Sequence, residues 1–112
     1  MIEKFYSFNE SLESETRIQD ISNGIVRFLR DNKISTWEEM DNNEFTRNVI
    51  NKIIDKSAKT FKEVGEIKFL MKLELYNIKE LKGLLKPFLE IEDYRKCKKI
   101  KDRIDILQSN LD

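Results

Sequence analysis

Residues 77 to 107, NIKELKGLLKPFLEIEDYRKCKKIKDRIDIL, carry two amphipathic patterns separated by a short acidic stretch. Asn77, with Glu80 three residues later, has the spacing of a capping box and predicts the start of a helix. Apolar residues then recur at steps of three and four, at positions 78, 81, 84, 85 and 88. Pro87 disfavours helical backbone at the preceding residue, so we expect this helix to end near Lys86.

A second helix is predicted over about residues 92 to 110. Its apolar residues fall in one sector when the helix is drawn at 100° per residue. This apolar stripe consists of Tyr94, Cys97, Ile100, Ile104 and Leu107. The two segments together predict a helical hairpin. A hairpin cannot bury both of its apolar faces alone, so the stripe packs on the rest of the chain, on a second copy or on another protein.

The chain before the hairpin also shows helical periodicity. A helix of about residues 10 to 31 is predicted, with Ser7 and Glu10 as a capping box at its start. Its apolar face comprises Ile18, Ile21, Ile25, Phe28 and Leu29. Asn23-Gly24 is a turn signal inside this pattern, so we expect a kink or break there.

Two further helices are predicted before residue 77. A short one starts at STWEEM, where Ser35 with Glu38, or Thr36 with Glu39, has capping-box spacing. A longer one covers about residues 43 to 62. Residues 66 to 76 alternate as a strand would but are rich in helix formers, and no partner strand is evident. We interpret this segment as a buried helix.

These patterns predict an all-α protein, a small bundle of five to six helices ending in a helical hairpin. The length fits one domain, residues 1–112, with an N-terminal bundle over 1–76 and the hairpin over 77–112. No apolar run is long enough to span a membrane. The single Cys97 excludes an internal disulfide, and the acidic start does not resemble a signal peptide, so we expect a cytoplasmic protein.

The composition argues against most enzyme classes. The chain has no histidine, one cysteine and three isolated glycines, so no metal cluster or phosphate-binding glycine loop is predicted. We therefore expect no enzymatic activity, cofactor, metal or small-molecule substrate. The net charge is zero, but residues 1–44 carry five basic and ten acidic side chains, while residues 45–112 carry sixteen and eleven. Such asymmetry could steer a charged partner or favour head-to-tail self-association.

The face of the last helix opposite the stripe is basic. Arg95, Lys99 and Arg103, spaced by four, form a ridge that could contact phosphates of a nucleic acid. The nearby Lys98 has the spacing to pair with Asp102, which would partly neutralise the field. No aromatic side chain lies among the ridge residues to read bases. A solvated surface is therefore the simpler interpretation, and weak nucleic-acid contact is the alternative.

The hairpin resembles the UVR motif, a short helical hairpin of bacterial excision-repair proteins and of some protein-quality-control adaptors. The resemblance spans about residues 77–111. Its matching positions are Asp93, Tyr94, Cys97, Ile100, Lys101, Asp102 and Ile104. Lys98 departs from the pattern at a position that is usually small, and Lys101 replaces the usual arginine. The resemblance implies docking on another helical hairpin or a partner domain through the apolar stripe.

The sequence thus predicts a non-enzymatic protein-protein interaction module, a small adaptor or inhibitor of a larger protein machine. Its partner-binding residues would be those of the apolar stripe. The abundance of lysine, isoleucine and asparagine, which have AT-rich codons, suggests a bacterial or phage source. The alternatives are a nucleic-acid-associated regulator that uses Arg95, Lys99 and Arg103, and self-association through the stripe.

Overall fold

In a computed structural model, the backbone is described for residues 2–110 and the side chains for residues 15–110. The described residues form α-helices and no strands. The helices are α1 (Ile2–Asp31), α2 (Trp37–Asn42), α3 (Glu44–Ser57), α4 (Phe61–Leu75), α5 (Ile78–Glu90) and α6 (Tyr94–Ser109). The all-α prediction with five to six helices is confirmed, and residues 66–75 are helical as interpreted.

The chain divides into two compact units, residues 1–71 and residues 72–112. The boundary between these units lies inside α4. The first unit contains α1, α2, α3 and most of α4. The second contains the last turn of α4 and the hairpin of α5 and α6.

The core of the first unit is mainly aliphatic and uses most of the predicted face of α1. Its fully or almost fully buried side chains are Ile18, Ile25, Val26, Leu29, Ile34, Met40, Ile50, Ile54, Ile67, Phe69 and Met71. Ser22 is buried among them, and its hydroxyl donates to the Ile18 carbonyl oxygen at 2.9 Å. The hydroxyl is thus satisfied within its own helix, which makes its burial tolerable.

Helix α1 differs from its prediction at both the start and the middle. It begins at Ile2, and the side chains of Ser7 and Glu10 lie outside the described residues. It also runs straight through Asn23-Gly24, where we expected a kink. Gly24 is exposed and has no positive φ. The buried residues on either side of it, Ser22 and Ile25, keep the helix continuous. Burial on both sides of the turn signal overrides the local preference.

The predicted helix over residues 43 to 62 is two helices, with a break at residues 58–60. Thr60 caps α4, since its hydroxyl accepts the Glu63 backbone N–H at 3.2 Å. The Thr60–Glu63 spacing is a capping signal that the sequence reading missed. Arg17 of α1 stabilises this break. Its guanidinium donates to the Ser57 carbonyl at 2.8 Å and to the Glu63 carboxylate at 2.6 Å.

The pairing of Glu63 makes a prediction about acid stability. The hydrogen bond from Arg17, then that from the Lys59 backbone N–H, lowers the pKa of Glu63 below its ordinary value of 4.5. Its contribution to folding is therefore complete above that value and is lost as pH falls through the lowered folded pKa. We expect Glu63→Gln to destabilise the protein near neutral pH and to lose this effect in acid. Urea unfolding at several pH values measures the difference.

Asp20→Asn is the matched control, since Asp20 is exposed on the same helix as Arg17. A stability difference between wild type and Glu63→Gln that does not change with pH would contradict the role of the ion pair.

The C-terminal end of α1 is closed by a Schellman motif whose left-handed residue is not glycine. Lys33 has φ of 62°, its N–H donates to the Arg30 carbonyl at 3.0 Å, and the Ile34 N–H donates to the Leu29 carbonyl at 2.8 Å. Ile34 and Leu29 are both buried, which is the apolar contact that accompanies this motif.

Replacing Lys33 by glycine should stabilise the protein. A left-handed conformation is strained for lysine but not for glycine, and part of the gain is offset by the freedom of glycine in the unfolded chain. We expect Lys33→Gly to raise the free energy of unfolding by about 0.5 to 1 kcal/mol. The exposed helical Arg27→Gly should instead lower it by about 1 kcal/mol. Chemical denaturation compares the two, and a loss of stability in Lys33→Gly would contradict the assignment.

The second unit is built on the predicted hairpin. The Asn77 capping box is confirmed: the Glu80 N–H donates to Asn77 Oδ1 at 2.8 Å, and the Asn77 N–H donates to Glu80 Oε1 at 3.1 Å. Helix α5 continues past Pro87 to Glu90, so the expected end near Lys86 is wrong. Pro87 cannot bond the carbonyl of Gly83, but Gly83 is exposed, so water can replace the missing donor.

Candidate interaction surface

The structure divides the residues of the apolar stripe between core and surface. Cys97, Ile100 and Ile104 are buried, and Ile100 has no exposed surface. Leu107 is half-buried, while Tyr94 is 65% exposed. Tyr94 lies at the margin of the stripe and in the first turn of α6. Of the five residues proposed for partner contact, the middle three are therefore core residues, and Tyr94 is the one that a partner can reach most fully.

The basic ridge is also divided, because Arg103 has a role inside its own unit. Its Nε donates to the Leu73 carbonyl at 2.9 Å, and its guanidinium lies 3.8 Å from the Glu74 carboxylate. Leu73 is in the last turn of α4, where backbone carbonyls lack intrahelical partners. Arg103 therefore caps α4 from α6. Arg95 and Lys99 are exposed, and Lys98 pairs with Asp102 at 3.3 Å as its spacing predicted.

The free energy of unfolding of an Arg103 variant shows whether this residue caps α4 or is available to contact phosphates. Removing a charged hydrogen bond to a helix terminus should lower the free energy of unfolding by about 1 to 2 kcal/mol, which we expect for Arg103→Met. The exposed neighbour on the same ridge provides the control, and Lys99→Met should change stability by less than about 0.5 kcal/mol. Urea unfolding followed by circular dichroism measures both. Equal stability of the two variants would contradict the cap.

A cluster of exposed apolar side chains lies where α5 meets α6. We call it the tip cluster; its members are Leu89, Ile91 and Tyr94, which are 43%, 69% and 65% exposed. Phe88 adjoins it and is half-buried, with the Lys96 ammonium 5.5 Å from its ring centroid. The sequence reading found Tyr94 but missed Leu89 and Ile91. Their signal was two large apolar residues outside the helical stripes, next to the acidic turn.

The backbone of the tip is fixed by consecutive caps. The Asp93 N–H donates to the Phe88 carbonyl at 2.9 Å and the Glu92 N–H to the Leu89 carbonyl at 3.1 Å, which closes α5 with Glu92 at φ of 58°. The Asp93 carboxylate then accepts the Lys96 N–H at 3.3 Å and starts α6. Asp93 thus takes part in the end of α5 and caps α6. The tip cluster therefore lies at a short, hydrogen-bonded turn.

The tip is acidic as well as apolar. Residues 87–94 contain the carboxylates of Glu90, Glu92 and Asp93 and no basic residue. Asp93 is half-buried and lies 3.6 Å from the Lys96 ammonium, whereas Glu90 and Glu92 are exposed. The tip therefore presents an apolar patch bordered by the exposed carboxylates of Glu90 and Glu92 and, at its two ends in sequence, by the exposed basic residues Lys86 and Arg95.

Outside the tip, the exposed large apolar residues of the described chain stand singly. They are Phe45, Phe61 and Ile106. Among the described residues, no group of three potential metal ligands is close enough to hold an ion. Over the same part of the chain, no helix combines the length and apolar character needed to cross a membrane.

No known protein family, curated protein or solved structure matches this chain. The resemblance of the hairpin to the UVR motif thus stays a prediction.

Proposed function

We propose that this protein is a non-enzymatic protein-protein interaction module, a small adaptor or inhibitor, that contacts its partner through the tip cluster. The observation that carries the proposal is the contrast within the hairpin. The middle of its apolar stripe is buried, yet Leu89, Ile91 and Tyr94 remain exposed at and beside the connection between α5 and α6. A cluster of large apolar side chains in water is unfavourable unless a partner covers it.

The chemistry of the tip suits a protein partner. Tyrosine is enriched among residues that dominate binding energy, because it offers a large apolar area with little side-chain freedom. The hydrogen-bonded turn limits the conformational entropy lost on binding. Glu90 and Glu92 would add attraction to a basic partner surface and make association faster at low salt.

The docking residues of the tip cluster differ from those that the UVR resemblance implies. In that resemblance the apolar stripe docks, but here its centre is core and Tyr94 is the stripe residue that belongs to the tip cluster. A hairpin can still dock end-on through its turn, with the buried stripe serving to hold the turn in place.

The nucleic-acid alternative has less support. It requires Arg95, Lys99 and Arg103 to contact phosphates, and the guanidinium of Arg103 already bonds the end of α4. Binding of this kind would fall steeply with salt as counterions are released. Titration of single- and double-stranded DNA and RNA at two salt concentrations tests it. Undetectable binding at low salt would exclude it.

The tip can be tested by site-specific photocrosslinking in cells that naturally contain the protein. With p-benzoylphenylalanine placed at position 91, in the tip cluster, we expect a discrete crosslinked species. At position 101, an exposed site on α6, we expect none. The crosslinked partner is identified by mass spectrometry. Equal crosslinking at both positions, or none at position 91, would contradict the proposal.

Adding Leu89→Ser and Tyr94→Ser to the position-91 variant should remove the crosslink without unfolding the protein, because both side chains are exposed at the facing ends of α5 and α6. Circular dichroism confirms that the helices remain. Crosslinking that persists in this variant would show that proximity, not the tip cluster, produces the adduct.

A further inference from the structure

The second unit has a small core of its own. Its fully or almost fully buried apolar side chains are Leu75, Leu81, Cys97, Ile100 and Ile104. The first unit buries a larger set, with apolar residues from α1, α2, α3 and α4. Buried apolar area is the main favourable contribution to folding, and a short unit buries a smaller fraction of its surface than a longer one. We therefore expect residues 72–112 to be the less stable part of the chain.

Helix α5 adds two local weaknesses to this unit. Gly83 lies in the interior of the helix, where glycine is less favourable than alanine because it loses more conformational freedom on folding. Pro87, one turn later, has no N–H, so the Gly83 carbonyl lacks its helical hydrogen bond. Both residues are exposed, so neither is covered by packing. Leu81 of this helix has no exposed surface, but the neighbouring Leu84 and Leu85 are only half-buried.

The closed hairpin conceals the middle of the apolar stripe. Cys97, Ile100 and Ile104 are buried on α6, and Cys97 is a free cysteine that is 3% exposed. A reagent that modifies thiols therefore reaches Cys97 only when the hairpin opens. In many proteins a supersecondary motif opens at a lower free energy than the whole molecule, and the motif that opens is the one with few buried apolar contacts.

We propose that the hairpin of α5 and α6 unfolds reversibly as one unit while the first unit stays folded, so that the middle of the apolar stripe is alternately concealed and exposed. Any contact that Ile100 and Ile104 make with another molecule then depends on this equilibrium, because only the open fraction can bind. The inference goes beyond the proposed function and does not depend on it, since the tip cluster is exposed in the closed state.

Two glycine variants of the full chain separate opening of the hairpin from unfolding of the whole protein. Gly24 of α1 and Gly83 of α5 are both exposed, and a Cβ added at either position would meet nothing within 4 Å. Alanine at either position should therefore stabilise its own unit without a clash. Gly24→Ala is thus the matched control for Gly83→Ala.

The measurement is the rate at which Cys97 reacts with a chromogenic aromatic disulfide in buffer without denaturant. The Cys97 thiolate attacks the reagent, a mixed disulfide forms and one coloured aromatic thiolate is released. At low reagent concentration, where the rate is proportional to that concentration, it reports the fraction of molecules with an open hairpin. Urea unfolding followed by circular dichroism checks that Gly24→Ala has stabilised the first unit.

We expect Gly83→Ala to slow the labelling of Cys97 about fivefold, because alanine is favoured over glycine in a helix interior by about 1 kcal/mol. Gly24→Ala should leave the labelling rate unchanged. Equal slowing by both variants would overturn the proposal, because Cys97 would then be exposed only when the two units unfold together. A rate that neither variant changes would also overturn it, because labelling would then come from a motion that leaves α5 folded.

A second pair of variants acts in the opposite direction. Arg103 donates to the Leu73 carbonyl within the second unit, and Arg17 donates to the Ser57 carbonyl within the first. Arg103→Met removes a charged hydrogen bond from the second unit and should speed labelling about tenfold, whereas Arg17→Met should leave the rate unchanged. Equal acceleration by the two variants would overturn independent opening of the hairpin.

Discussion

Side-chain capping at the helix ends is the constraint on which the rest of this structure depends. The connections between helices are short, and the chain has only three glycines and one proline with which to turn. Polar side chains therefore satisfy the free N–H groups where helices begin, at Thr36, Asn43, Thr60, Asn77 and Asp93. Two helices end at left-handed residues that are not glycine, Lys33 and Glu92. These caps set where each amphipathic face starts and stops, and hence which apolar residues can reach the core.

The same constraint explains why the hairpin exposes its turn. Asp93 takes part both in the end of α5 and in the cap of α6, and Leu89, Ile91 and Tyr94, which lie next to this short connection, are exposed. The middle residues of the apolar stripe are buried, and Arg103 caps the C-terminal end of α4. Cys97, Ile100 and Ile104, which the sequence suggested as contact residues, are therefore buried, whereas Leu89, Ile91 and Tyr94 are exposed.

The exposed apolar residues Phe61 and the tip cluster both lie in residues 45–112, the part of the chain that is basic overall. Lysines 56, 59 and 62 lie near Phe61 in sequence, whereas Glu90, Glu92 and Asp93 lie within the tip, between Lys86 and Arg95. Local charge around an apolar anchor, not the net charge of a half of the chain, determines which surfaces attract one another at contact distance.

The sequence by itself determined the all-α class, the hairpin, the helical state of residues 66–75 and the cap at Asn77, because periodicity and capping act over a few residues. For α2 it left Ser35 and Thr36 open as caps, and the structure has Thr36. It also placed Tyr94 at the margin of the apolar stripe, where the side chain is exposed. It did not determine the continuity of α1 through Asn23-Gly24, the break before Phe61 or the burial of Cys97, Ile100 and Ile104. Those depend on contacts between residues distant in the chain, such as Arg17 with Glu63 and Arg103 with Leu73. Only the tertiary structure could decide them, because packing outweighs the local turn preferences and sets which apolar face is covered.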